Sequence, residues 1–143
     1  MSTRDFGSLP EIRKIVTINA PVLTVWEAIA TSEGISGWWL QNNFKAIEGY
    51  EFMIHDDAFG DSPCLVTKVI APTHLELDWD KDWHLVFELR AIGENQTEVV
   101  FTHSGWFTDK YTRFGQPHPQ IRKVMDEGWE NGIKTKLVKC VEK

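Results

Sequence analysis

Histidine, cysteine and clustered carboxylates are the side chains of this sequence best able to do chemistry, and their spacing closes most of the routes. His55, His74, His84 and His103 form no HxH or HExxH pattern, so no transition-metal site is written into the sequence. Asp56, Asp57 and Asp61 surround Gly60 but lack the alternating ligands and closing Glu of a calcium loop, and a solvated strand connection is expected there. Cys64 and Cys140 lie far apart and outside any CxxC pair, which predicts two reduced thiols rather than a disulfide or zinc site. Neither a metal nor a cofactor is called for. A general base needs a His or carboxylate facing a pocket. His103, before Gly105-Trp106, is the candidate, with Tyr50, His55 and Arg113 behind it; the alternative role for His103 is to brace the next loop through a local hydrogen bond. Ser104 sits in Thr102-His103-Ser104-Gly105-Trp106, without the flanking glycine of a nucleophile elbow, so no triad assembles.

The elements that must position these groups follow from periodicity. Ile12, Val16 and Ile18 alternate with polar residues, so Glu11 to Asn19 is a strand, although Ile15 breaks the pattern. Pro21 suits a first helical turn, and Val22, Val25, Trp26 and Ile29 make a helical stripe ending near Ala30, with a further short turn up to Gly37. Six more strands are predicted at Phe44 to Ile47, Tyr50 to His55, Cys64 to Ala71, Leu75 to Trp79, Trp83 to Ala91 and Glu98 to Ser104. Alternating faces such as Leu75, Leu77, Trp79 against Glu76 indicate an antiparallel sheet with one dry side. Trp106 to Pro119 reads as a long loop. From Ile121 to Val141 the period returns to 3.6, and this long helix needs the apolar sheet face to lie against. Within it Gly128 and Gly132 each cost about 1 kcal/mol relative to Ala. Close approach of a strand or of Trp106, or space left for a ligand, can explain them.

With 143 residues, 42% of them hydrophobic, the chain forms one α+β domain over residues 1–143, its core about 11–142. The opening residues Met1 to Pro10 hold no apolar run, so neither a leader nor a membrane span is expected and the location should be cytoplasmic. The net charge of −6, without a basic run before the last turns, argues against nucleic acid as partner. No coiled-coil stripe decides between monomer and homodimer.

Ile18-Asn19-Ala20-Pro21, Val25-Trp26-Glu27-Ala28-Ile29, Gly37-Trp38-Trp39, His103-Ser104-Gly105-Trp106 and Gly128-Trp129 occur in that order on those elements. The set resembles the START-like or SRPBCC superfamily, in the branch named after the activator of heat-shock protein 90 ATPase, over roughly Ile12 to Val141. The resemblance implies a helix-grip fold, with a seven-stranded antiparallel sheet wrapped around a long C-terminal helix and two short helices after the first strand. It also implies a cavity between sheet and helix, used in relatives for hydrophobic ligands, for polyketide cyclisation or as a chaperone-binding surface.

Seven tryptophans, Trp26, Trp38, Trp39, Trp79, Trp83, Trp106 and Trp129, are then either core or pocket wall. The ligand-binding candidates are Trp38, Trp39, Tyr50, Trp79, Phe87, His103, Trp106, Met125 and Trp129. The primary expectation is a non-enzymatic domain that binds a hydrophobic or aromatic small molecule. The alternatives are a chaperone-associated module, for which the amino-terminal domain of full-length chaperone activators is not expected in this chain, and a cyclase or dehydratase using His103.

Overall fold

The structure, a computed structural model, describes residues 7–57 and 60–142. Met1 to Phe6, whose sequence shows no apolar run, and part of the loop before Gly60 lie outside the described residues. Strand β1 (Ile12–Ile18) buries Ile12 and Ile18 and leaves Ile15 45% exposed, so the residue that breaks the alternation faces solvent. Helices α1 (Val22–Ile29) and α2 (Ser32–Trp38) follow, divided by Thr31, whose Oγ1 accepts the Gly34 N–H at 3.0 Å and caps α2. Gly34 has to be glycine: a Cβ there would lie 2.1 Å from the Glu27 carbonyl oxygen.

The remaining strands are β2 (Gln41–Asn42), β3 (Glu51–Asp56), β4 (Gly60–Ile70), β5 (His74–Trp79), β6 (Trp83–Gly93) and β7 (Gln96–Ser104). They form one antiparallel sheet in the order β1-β7-β6-β5-β4-β3-β2. Its concave face carries Leu75, Leu77, Leu85, Phe87, Val99 and Phe101, all buried, while the opposite face carries Glu76, Asp78, His84 and Glu98. The chain therefore has the helix-grip α+β architecture, with the last helix against the concave face.

Three expectations need correction. Phe44 to Ile47 is not a strand. Asn42 Oδ1 accepts the Phe44 N–H at 3.0 Å and the Ile47 N–H bonds back to the Lys45 carbonyl at 2.9 Å, so this backbone satisfies itself locally and the edge strand is the shorter Gln41–Asn42. Strand β4 starts at Gly60, ahead of Pro63, because Met53, paired with Pro63, sends its own N–H and C=O to Asn43. No β3–β4 ladder bond is lost at the proline. Finally, the terminal helix is α-helical as α3 (His118–Asn131), becomes a π-helix over Gly132–Leu137, and ends as α4 (Val138–Glu142).

Lys14 ties α3 to β1 through Asp126 at 2.7 Å and Glu130 at 2.9 Å. Between β7 and α3 the chain leaves the sheet at Gly105 (φ +93°), where a Cβ would meet the Asp82 carbonyl at 1.9 Å. Trp106 then plugs the end of the core, 1% exposed. Trp129 is buried, Trp26 is half-buried, and Glu27 and Glu130 are exposed.

Candidate functional site

Between the concave face and α3 lies a cavity of about 280 Å³. Its position follows from element geometry. Trp79 and Trp83 end β5 and begin β6 on the same face and form one wall; Met125, Gly128, Trp129 and Gly132 of the last helix form the roof. Trp38, Trp39 and Leu40, leaving α2, close one side, and Thr112, Phe114 and Gln116 of the loop after β7 close the other. Gly128 has nothing within 4 Å of where its Cβ would stand, and the Cβ of Gly132 would meet only the Trp129 ring at 3.7 Å. Neither glycine admits a strand or Trp106 at close range; the helix is bare where it roofs the cavity.

The aromatic wall is braced ring on ring. Trp39 meets Trp79 edge-on at 5.5 Å and Trp129 at 5.2 Å, Trp79 meets Trp83 at 4.8 Å, and Trp38 stacks on Trp39 at 6.1 Å. Such plates hold one another in offset or edge-on contacts worth about 1 kcal/mol each, and rigid plates leave gaps between them.

The structure brings together five of the nine ligand-binding candidates: Trp38, Trp39, Trp79, Met125 and Trp129. The others stand elsewhere. Phe87 is buried behind Trp38 and packs on Phe101. Trp106 donates its indole N–H to the His103 carbonyl at 3.0 Å, deeper in the core. Tyr50 lies outside the cavity, with Lys45 Nζ 5.8 Å from its ring centroid. His103 is fully buried behind Trp129, whose Nε1–H donates to His103 Nδ1 at 2.9 Å. The proton of the neutral ring must then sit on Nε2, which has no partner among the described residues. Burial, with smaller contributions from the charges of Arg122 and His118, pushes the His103 pKa well below the usual imidazole value. It is a neutral acceptor that aims Trp129, out of reach of a molecule in the cavity.

His55 sits on the exterior between Asp61 at 2.8 Å and Asp57 at 3.2 Å. Ser104 is half-buried, its hydroxyl 3.5 Å from the His84 carbonyl oxygen. Arg113 latches the loop over the mouth: its Nε is 3.3 Å from Asp80 Oδ2 and its Nη2 donates to the Asp61 carbonyl and to Ser62 Oγ. Among the described residues no group of three or more His, Cys, Asp or Glu side chains is placed to hold a metal ion. Cys64 is buried, which pushes its thiol pKa up, and Cys140 is half-buried; neither is in a disulfide.

Sequence reasoning missed Asp80, Thr112, Phe114, Gln116 and Lys136 on the rim. Phe114 carried a signal, a large apolar residue in a polar loop that is 49% exposed. Lys136 carried one as well, since helical spacing places it between Met125 and Trp129 on the apolar side.

Among known proteins, the family described as Activator of Hsp90 ATPase homolog 1-like protein matches residues 19–142. A Bacillus halodurans protein solved in solution shares 38% identity and a TM-score of 0.84, covering 94% of this chain and 99% of its own. A Mesorhizobium loti protein, known from a crystal structure, shares the fold at 22% identity and TM-score 0.77, covering 91% and 96%. The Aha1 dimer from Colwellia psychrerythraea shares it at 21% identity and TM-score 0.69, covering 87% and 91%. No curated protein matches the chain. No described helix is long and apolar enough to cross a membrane.

Proposed function

We propose, for a chain that belongs to the family of Activator of Hsp90 ATPase homolog 1-like proteins, that it binds a small hydrophobic or aromatic molecule in the Trp-walled cavity. The observation that carries this reading is a volume of about 280 Å³ kept open beneath two helix glycines that no other element fills. Each glycine costs the helix about 1 kcal/mol, and an apolar gap of this size holds ring systems better than water. The volume suits one or two fused rings.

His103, the candidate base, is walled off by Trp129 and Asp80 is paired with Arg113, which supports binding over enolisation or dehydration. The chaperone-associated reading is supported by the family's name and not by a feature of the cavity. The test is a thermal-shift and Trp-fluorescence screen with small aromatic compounds. A ligand at 100 times its dissociation constant adds about 2.7 kcal/mol of stability, visible as a rise of several degrees. Broad apolar libraries that move neither melting temperature nor fluorescence would reject the reading in favour of an interaction module.

A further inference from the structure

Lys136 stands at the mouth of the cavity, on the segment where the last helix passes over it as a π-helix. At the α-helical spacing of about 100° per residue Lys136 falls about 80° around the axis from Gly128, between Met125 and Trp129, which also line the cavity. The π-helix from Gly132 to Leu137 has wider turns, closed by i→i+5 bonds, which rotate the chain less per residue and bring Lys136 back over Gly132. Gly128, Gly132 and Lys136 thus share one row facing the cavity, whereas Lys134 turns away to Glu130 at 3.2 Å. Lys136 forms no ion pair with any described residue. Single π turns are rare and concentrate at functional sites.

The polar groups of the wall tip the same way. Trp79 and Trp83, each 7% exposed, have indole N–H groups without a partner among the described residues. The acceptors, in contrast, are largely engaged. Asp80 faces Arg113 at 3.3 Å, Ser62 Oγ accepts from Arg113, and Thr112 Oγ1 accepts the Phe114 and Gln116 N–H groups. Those indole nitrogens have no accessible surface and the lining also carries the Asp56 carboxylate, so the donor that a guest can reach at the solvent end is the cation Lys136.

We propose that the ligand is an amphipathic aromatic acid, its flat body against Trp39, Trp79 and Trp129 and its carboxylate at the mouth on Lys136 Nζ. This rests on reading the cavity as a ligand site. The shape agrees, because a buried aromatic wall accepts rings edge-on or offset while a half-hydrated ammonium at the rim pairs with a carboxylate without the cost of burying both charges.

Calorimetric titration of the full chain with naphthoate, naphthalenemethanol and naphthylmethylamine tests it, since the three share a body and differ in head-group charge. Naphthoate should bind about three- to tenfold more tightly than the alcohol, and the amine more weakly than either. Lys136→Gln, an exposed and fold-neutral change, should bring naphthoate down to the alcohol's affinity and leave the alcohol unchanged. Equal binding of acid and alcohol, or an acid preference that survives Lys136→Gln, overturns the proposal while the cavity remains a ligand site. A preference for the amine that disappears in Asp56→Asn overturns it in favour of a basic ligand read by the rim carboxylate. If none of the three binds, the ligand-site reading falls and this inference falls with it.

Discussion

Trp129 Nε1 and His103 Nδ1 lie 2.9 Å apart in the core, and this one hydrogen bond joins the roof of the cavity to the sheet beneath it. A buried imidazole held neutral is a good acceptor for an indole N–H, and the bond fixes a ring that otherwise has only apolar neighbours. Replacing His103 with Ala should leave the Trp129 donor unpaired next to a new void and destabilise the fold by about 3 kcal/mol. Urea unfolding checks the loss. His103→Asn, which retains an acceptor, should lose less, and near-ultraviolet circular dichroism should show Trp129 less ordered in the alanine variant.

The pH dependence of stability should have two opposed arms with their turning point near the ordinary histidine value, about 6.5. His103 has its folded pKa lowered by burial, so its contribution is complete above that value and is lost as pH falls below it. For His84 burial works downward, but hydrogen bonds to Asp78 and Glu76, both at 2.7 Å, outweigh it and raise the folded pKa. Its contribution is therefore complete below the unfolded value and is lost as pH rises through the folded one. Urea midpoints across pH 5 to 9 should fall on both sides of about 6.5, and His84→Gln should flatten the alkaline arm alone. An unchanged alkaline arm in that variant would remove His84 from the account.

Gly128 offers a clean separation of folding from binding. With nothing within 4 Å of its missing Cβ, Gly128→Ala should raise stability by about 0.5 to 1 kcal/mol through helix propensity and reduced unfolded-state entropy. Gly128→Leu should fold as well but project into the cavity, weakening the binding of aromatic probes in calorimetry. Wild-type affinity in the leucine variant would place the ligand elsewhere.

Arg113 should govern entry rather than stability. It is partly exposed, so its pairing with Asp80 is worth no more than about 1 kcal/mol. Arg113→Ala should shift the urea midpoint little but release the loop carrying Phe114. Limited chymotrypsin digestion should then cut after Tyr111 or Phe114 faster than in the parent, and stopped-flow fluorescence should show quicker association of a probe. Unchanged cleavage and association would show that the latch does not hold the loop.

Alternation at period two along Leu75 to Trp79 and Leu85 to Leu89, and the 3.6 period after Ile121, were enough to determine the sheet, the face it buries and the helix that covers it. These patterns report which side of an element avoids water, and burial of that side is what drives the fold. They do not report whether a buried side chain meets another atom or an empty space on its far side. That is why Phe87 and Trp106 carry the same sequence signal as Trp79 and Trp129, yet only the latter pair borders the cavity. Phe44 to Ile47 was read as a strand, but Asn42 took the Phe44 N–H and the Ile47 N–H turned back to Lys45. His103 stood beside a loop in the sequence, and only the tertiary fold placed Trp129 against it, across 26 residues. The π turn left no periodic trace, since six residues are too few to set a period of their own. Tertiary packing alone decided it.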